Sequence, residues 1–212
     1  MSSSEHQPRQ PKFLLTPRHI MAVKEVLWPK VKLYEKQLEV LTATLETPET
    51  YVTAANKVGK DFVAGFIALA CFITCQRLGV TARIVTTSVA EHHLKVLWGE
   101  IGRFLSTASR SLVAGKGNAG PLVVNYQEVR VAGEAESKNP LSYLVGRVSA
   151  KGEGMAGHHA EFTLLIGDEA SGLDDAVYEA AQGWAQHMLF IGNPNPCSNF
   201  FFNNVKAGNL VI

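Results

Sequence analysis

Short apolar runs rich in β-branched residues alternate with longer, helix-like runs along most of the chain. The short runs are bounded by glycine, proline or polar residues, so they predict strands. Strands that alternate with helical segments are typical of a parallel sheet with crossover helices, and the sequence therefore predicts an α/β fold. The predicted strands cover residues 51–54, 82–87, 122–126, 143–148, 162–166 and 188–191.

Two segments between these strands carry helical patterns. Residues 60–76 are apolar nearly all round, as expected of a helix packed on a sheet, whereas residues 89–105 are amphipathic. The glycine-rich stretch at 114–120 is expected to be a surface loop. We reject its Gly115-Lys116 pair as a nucleotide loop, because no strand precedes it and no helix follows it.

Composition narrows the class of protein without pointing to a partner. The chain has 212 residues, 46% of them hydrophobic, which suffices for one sizeable core. The formal net charge of +1 favours neither a nucleic-acid nor a membrane partner. No apolar stretch reaches the ~20 residues of a membrane span. We expect a disordered tail at 1–12 and a single domain over 13–212.

The three cysteines are too few and too irregularly spaced for a disulfide framework or a zinc site. Cys71 and Cys75 lie one helical turn apart in an apolar segment, which favours small core residues. This use of cysteine is typical of a reducing cytoplasm.

A candidate phosphate-binding loop, AANKVGKD, connects a predicted strand to a predicted helix. Such loops place Gly-Lys-Ser/Thr so that backbone N–H groups and the lysine meet the phosphates. Asp61 stands where a hydroxyl usually holds Mg²⁺, and this departure leaves a chance Gly-Lys pair at a helix start as an alternative. The candidate nucleotide-binding residues in the loop are Ala54, Ala55, Asn56, Lys57, Val58, Gly59, Lys60 and Asp61.

Two adjacent carboxylates, Asp168 and Glu169, follow the buried apolar run FTLLIG. The carboxyl ends of parallel strands are where α/β sheets build their sites. In phosphoryl transfer one carboxylate supports Mg²⁺ and a second can orient and deprotonate the attacking water. The alternative is a pair that caps the next turn, but its place downstream of a Gly-Lys loop favours nucleotide hydrolysis.

Two amides complete the candidate site. Asn193 follows the apolar run at 188–191, where a polar amide can sense the γ-phosphate, and an ordinary Asn-Pro turn is the alternative. Gln37 lies on a predicted helix before the nucleotide strand, where an amide can pair with an adenine edge. The alternative for Gln37 is a surface glutamine.

The order of these elements resembles the ATPase domain of phage terminase large subunits, the motors that package viral DNA. The resemblance covers residues 28–196, and its most specific part runs from Gly157 to Gly172. It implies a P-loop NTPase fold of the RecA-like (ASCE) kind, with a mostly parallel sheet flanked by helices. The motifs that carry it are Tyr34 with Gln37, ANKVGKD, TTSVAEHHLKVLWGEI, GMAGHHAEFTLLIGDEASG and GNP.

The resemblance implies a Mg²⁺-dependent ATPase with assigned roles. Lys60 binds the phosphates of ATP, and Asp168 supports Mg²⁺. Glu169 is the catalytic carboxylate, and Asn193 couples hydrolysis to movement. Asp61 departs from the family pattern, and we expect it to ligate Mg²⁺ while adding negative charge near the triphosphate.

Such motors also need a cation on the developing γ-phosphate charge. Lys57 lies in the region where the family often carries a basic residue. A lysine ammonium would neutralise charge there, but it cannot form the paired hydrogen bonds to phosphate that an arginine guanidinium forms. The alternative is Arg147 supplied by a neighbouring subunit.

Partners and location also follow from the resemblance. The motor would drive double-stranded DNA into a procapsid as a homo-oligomeric ring, with the terminase small subunit and the portal and without a membrane. It would act in the host cytoplasm, transiently at the procapsid portal. We expect the C-terminal nuclease domain of the family, and its nuclease activity, to be absent from this chain. Two alternatives stay open, another P-loop DNA translocase or helicase-like ATPase, and a truncated nucleotide-binding fragment without turnover.

Overall fold

The computed structural model describes residues 14–54, 58–115, 118–148, 155–193 and 198–208, so the expected tail at 1–12 lies outside the described residues. The helices are α1 (Pro17–Leu27), α2 (Glu35–Glu46), α3 (Lys60–Arg77), α4 (Glu91–Thr107), α5 (Asp175–Gln182) and α6 (Phe200–Lys206). The strands are β1 (Glu49–Thr53), β2 (Ala82–Ser88), β3 (Ala114–Gly115), β4 (Asn118–Ala119), β5 (Leu122–Asn125), β6 (Glu128–Val131), β7 (Tyr143–Val148), β8 (Phe162–Asp168) and β9 (His187–Gly192).

Within the described ranges, one seven-stranded sheet has the order β1-β9-β8-β2-β7-β6-β5. The five strands β1, β9, β8, β2 and β7 run parallel to one another. Strands β6 and β5 add an antiparallel edge beside β7. The predicted α/β class with a mostly parallel sheet is therefore confirmed. The parallel strands end at one edge of the sheet, where their carboxyl ends lie side by side.

The predicted strands agree with β1, β2, β5, β7, β8 and β9 to within two residues at each end. The apolar pattern does not predict β6, because this short edge strand alternates glutamate and arginine with valine. The expected loop at 114–120 contains the short antiparallel pair β3 and β4, so that expectation was wrong. Backbone pairing in a glycine-rich hairpin leaves no apolar pattern in the sequence.

The sheet separates two apolar cores. On one face, α1 to α4 pack against even-numbered residues of β2 and β8 such as Ile84 and Leu164. On the other face, α5 and α6 pack against odd-numbered residues of the same two strands, such as Val85 and Leu165. We call these the α3 face and the α5 face. Because side chains alternate along a strand, even-numbered residues of β2 and β8 point towards α3.

Helix α3 is buried along most of its length, which explains its apolar sequence. It contacts α1 and α4 as well as the sheet. Cys71 and Cys75 are free thiols in this core, as expected, and burial raises the pKa of Cys75 to about 12. Cys197 lies outside the described residues. No helix in the described part of the chain is long and apolar enough to cross a membrane.

Candidate nucleotide site

The carboxyl edge of the sheet collects the polar residues that the sequence singles out. Asp168 ends β8, Glu169 follows it, and Asn193 follows β9. Lys60 begins α3, the helix that follows β1. Since β9 lies between β1 and β8, residues far apart in the sequence become neighbours at this edge.

Lys60 joins the nearest of these residues into one cluster. Its Nζ donates to Glu169 Oε1 at 2.7 Å and to Asn193 Oδ1 at 3.3 Å. Asn193 Nδ2 donates in turn to Glu169 Oε2 at 3.4 Å. The side chains of Lys60 and Glu169 are only 7% and 18% exposed, so this ion pair is shielded from water.

Glu169 reaches Lys60 because the backbone turns sharply after β8. Its φ of 51° and ψ of 45° lie in the left-handed region, which costs a non-glycine residue about 1–2 kcal/mol. In an extended strand, consecutive residues point to opposite faces. The turn therefore lets Glu169 join Lys60 at the edge, although its neighbour Asp168 points to the α3 face.

Asp168 and Asp61 form a second group at the same edge. Asp168 is 3% exposed, and burial, followed by the charge of Asp61, raises its pKa to about 7. Burial also raises the pKa of Asp61, although Lys60 acts against it. Neither carboxylate forms an ion pair with another described residue. The two acids therefore favour a bound proton or cation.

The donor set of this acidic pair fits a magnesium ion that accompanies a nucleotide. Among the described residues, no group of three or more His, Cys, Asp and Glu side chains could hold a metal ion by itself. Mg²⁺ usually keeps several waters and takes one or two carboxylates together with substrate phosphates. Asp168 and Asp61 would supply the carboxylates of such a site.

A cavity of about 430 Å³ lies beside Lys60, between α2, β1 and α3. Its walls are largely apolar, with Val40, Val52 and Val63 among them. Gln37 also lines the cavity and is only 5% exposed. The alternative of a surface glutamine is therefore wrong, because α2 directs this amide inward.

The start of α2 is tied to the candidate loop. The Tyr34 hydroxyl donates to the Val58 carbonyl at 2.5 Å, and the Tyr34 N–H donates to Gln37 Oε1 at 3.4 Å. Gly59 precedes α3 with a φ of 82°, and a Cβ there would lie 3.1 Å from Gln37 Nε2. Both the left-handed backbone and the close approach of Gln37 require glycine at this position.

Some of the candidate residues are not brought to this cluster. Arg147 is exposed at the end of β7, on the α5 face, and lines a small pocket with Arg83, Arg130 and Lys138. Arg147 therefore lies on the opposite face of the sheet from α3, and its role stays a prediction. Ala55, Asn56 and Lys57 lie outside the described residues, and their roles stay predictions.

Two buried hydroxyl groups lie at the end of β2 and are not among the site residues predicted from the sequence. Thr87 and Ser88 are fully buried, and neither hydroxyl oxygen has a hydrogen-bond partner in the described part of the structure. Such groups usually have a partner. The signal that could have found them is a run of hydroxyl residues, TTS, at the end of an apolar strand.

Comparisons with known proteins bear on the fold. No protein-family model and no curated protein sequence matches this chain. A variant of the Thermus phage P74-26 large terminase ATPase domain matches with a TM-score of 0.56 and 16% identity, over 86% of this chain and 72% of that chain. A second structure of that domain has a TM-score of 0.55 and 16% identity over the same shares.

The HK97 bacteriophage large terminase matches with a TM-score of 0.57 and 15% identity, over 92% of this chain. This chain spans 43% of the length of the HK97 protein. At identities of 15–16%, these matches are evidence for the fold alone. The chain therefore has a fold similar to that of phage large-terminase ATPase domains.

Proposed function

We propose that this chain is the ATP-hydrolysing motor domain of a viral terminase large subunit, which drives double-stranded DNA into a procapsid. The observation that carries the proposal is the bonded cluster of Lys60, Glu169 and Asn193 at the carboxyl edge of a P-loop sheet. The adjacent cavity of about 430 Å³ is within the usual size range of small-molecule sites.

ATP would bind with its base in the cavity beside Gln37. An amide offers both a donor and an acceptor, as an adenine edge requires. The phosphates would lie at Gly59 and Lys60, where the first turn of α3 has free N–H groups and the positive end of the helix dipole. These groups hold an anion whatever residue occupies position 61.

Mg²⁺ would be held by Asp168 and Asp61 and would neutralise charge on the phosphates. A carboxylate at position 61 is a hard oxygen ligand, so it can take the place of the usual hydroxyl. The cation would also relieve the repulsion between the two buried acids.

Glu169 would orient and deprotonate the water that attacks the γ-phosphate. In the structure its carboxylate is held by Lys60 at 2.7 Å. A phosphate oxygen would compete for the Lys60 ammonium and release Glu169 for this role. Asn193 bonds to both residues, so it would sense the exchange and transmit it to β9.

A cation at the transferred phosphoryl group would come from Lys57, or from Arg147 of a neighbouring copy in a homo-oligomeric ring. The support for Arg147 is its exposure and the absence of an ion-pair partner among the described residues. The terminase small subunit and the portal are the proposed partners, in the host cytoplasm and transiently at the procapsid.

A nucleotide-binding domain without turnover is the second candidate. The observation that favours it is the pairing of Glu169 with Lys60, which keeps the carboxylate from water until it is released. The charge of Asp61 beside the phosphate position points the same way.

Phosphate release and nucleotide binding, measured together, test the proposal. The wild-type chain should release phosphate from ATP with Mg²⁺, more strongly with double-stranded DNA, and should lose this activity in EDTA. Lys60→Ala should lose binding of a fluorescent ATP analogue and turnover, whereas Lys95→Ala, an exposed lysine paired with Glu91, should lose neither. Binding without release would support the second candidate, and absence of both would contradict the proposal.

A further inference from the structure

The buried residue Ser88 lies next to Asp168, one of the two acids of the second group. Ser88 ends β2 and is paired with Asp168 of the neighbouring parallel strand β8. Neighbouring strands lie about 4.8 Å apart. Both residues occupy even-numbered positions, which point to the α3 face, where α3 begins with Lys60 and Asp61.

The hydroxyl of Ser88 has no hydrogen bond within the described ranges, whereas Thr86, its neighbour on the same face of β2, has two. Thr86 points to the same face, and its Oγ1 accepts from Trp98 Nε1 at 3.0 Å and donates to the Val145 carbonyl at 3.3 Å. Ser88 is equally buried, yet its Oγ has no hydrogen bond among the described residues. A buried hydroxyl without a partner costs about 1–3 kcal/mol.

The charges around Ser88 explain what kind of partner is missing. When Asp61, Asp168 and Glu169 are all ionised, three negative charges at this edge face the single ammonium of Lys60, which is bonded to Glu169. Asp61 is close enough to Asp168 for the two charges to act on each other. A cation with bound water would satisfy both acids and could accept the lone pair of a neutral hydroxyl.

We infer that Ser88 supplies the neutral hydroxyl oxygen that the loop lacks at position 61, and that this oxygen joins the carboxylates of Asp61 and Asp168 around the nucleotide-bound Mg²⁺. This inference rests on the proposed function. In such nucleotide-binding proteins the phosphate-binding loop normally contributes one hydroxyl to Mg²⁺, and a separate aspartate contributes a carboxylate. In this chain position 61 holds a carboxylate, and the hydroxyl would come from β2, which lies on the side of β8 away from β1. The Mg²⁺ shell would then still contain one neutral protein oxygen.

Mn²⁺, detected by electron paramagnetic resonance, is the probe for this site. With a non-hydrolysable ATP analogue present, Ser88→Ala should weaken Mn²⁺ binding about tenfold, as expected for a lost bond to a charged partner. Affinity for the analogue in EDTA should not change. Thr87→Val is the matched control, because Thr87 is also buried and its hydroxyl has no hydrogen bond in the described part of the chain, but it points to the α5 face. This variant should leave Mn²⁺ binding unchanged.

Thermal unfolding without metal separates this role from a structural one. Ser88→Ala removes an unsatisfied hydroxyl, so it should leave the melting temperature unchanged or raise it, whereas loss of a structural hydrogen bond would lower it. In an Asp61→Thr background, which restores the loop hydroxyl, Ser88→Ala should have little effect on Mn²⁺ binding.

The outcomes distinguish the inference from the function on which it rests. If Ser88→Ala binds Mn²⁺ and the analogue as tightly as the wild-type chain does, the role of Ser88 is overturned and the proposed function is not. Equal losses in Ser88→Ala and Thr87→Val also overturn it. A wild-type chain that binds no nucleotide overturns both the role and the proposed function.

Discussion

The polar residues at the carboxyl edge of the sheet form two groups that differ in how their polar atoms are satisfied. Lys60, Glu169 and Asn193 bond to one another at 2.7 to 3.4 Å. The charges of Asp61 and Asp168 instead repel each other, and Ser88, which is paired with Asp168, has a hydroxyl without a hydrogen bond among the described residues. Both groups are largely buried, so solvent does not account for the difference.

The difference indicates how each group responds to a ligand. The first group is complete in itself, so a phosphate must displace the existing bond between Lys60 and Glu169. The second group is complete only with a proton or a cation, because buried like charges are unfavourable without one. Variants of the first group should therefore change nucleotide binding and turnover, whereas variants of the second group should change metal binding and the dependence on pH.

Breaking the first group at Glu169 should have the largest effect. Glu169→Gln should lower ATP hydrolysis about 10²–10⁴-fold, as expected when a general base is lost. Binding of an ATP analogue should persist or improve, because Lys60 loses a charged competitor for the phosphate. Single-turnover phosphate release and an analogue titration measure the two effects. Glu179→Gln, an exposed acid on α5, is the control. Equal loss of binding and turnover would make Glu169 a structural residue.

Breaking the second group at Asp168 should change the dependence of stability on pH. The pKa of Asp168 is raised from 3.8 to about 7 in the folded chain, so the folded state holds this proton more tightly than the unfolded state. Stability from this group is present below pH 4 and is lost as pH rises to about 7, with an upper limit of roughly 4 kcal/mol. The raised pKa of Asp61 acts in the same direction.

Asp168→Asn should remove most of this decline. Urea unfolding in EDTA at pH 5 and pH 8 should give a wild-type chain that is less stable at the higher pH and a variant that changes less. Saturating Mg²⁺ with an ATP analogue should also flatten the wild-type profile. Parallel profiles for the two proteins would show that Asp168 does not carry the effect.

A smaller effect is expected at Gly59, which joins the first group to the cavity. Gly59→Ala should destabilise the chain by about 1–2 kcal/mol because its backbone is left-handed, and it should also weaken binding of the ATP analogue by displacing Gln37. Gly79→Ala is a matched control, since Gly79 has a φ of 71° and nothing within 4 Å of the added Cβ. Unfolding should detect both variants, and analogue binding should detect only the first. Equal affinities of Gly59→Ala and Gly79→Ala for the analogue would show that Gln37 does not contact the nucleotide.

The smallest effect is expected from Asp61→Thr, which makes the second group resemble an ordinary phosphate-binding loop. ATP affinity should stay the same or rise a few-fold, since a negative charge near the phosphates is removed. The dependence of affinity on Mg²⁺ concentration should become shallower. Nucleotide affinity across a Mg²⁺ titration measures both changes. Weaker binding at every Mg²⁺ concentration would show that Asp61 is not a substitute on the metal side.

The sequence by itself determined the fold class and located the two motifs whose charged residues meet at the carboxyl edge of the sheet. Strand and helix periods are local properties, so six strands and both helical segments could be located to within a few residues. Gly59-Lys60 and Asp168-Glu169 could be singled out because each motif is contiguous. The resemblance to phage terminase ATPase domains is confirmed at the level of the fold.

Only the tertiary structure decided which of these residues meet. The position of β9 between β1 and β8 brings Asn193 to Lys60, and the packing of α2 turns Gln37 into the cavity. The register of β2 against β8 places Ser88 beside Asp168, while the alternation along β7 puts Arg147 on the opposite face. Strand order and register follow from long-range packing of the two cores, and a shift of one residue would reverse every face. No local pattern in the sequence encodes them.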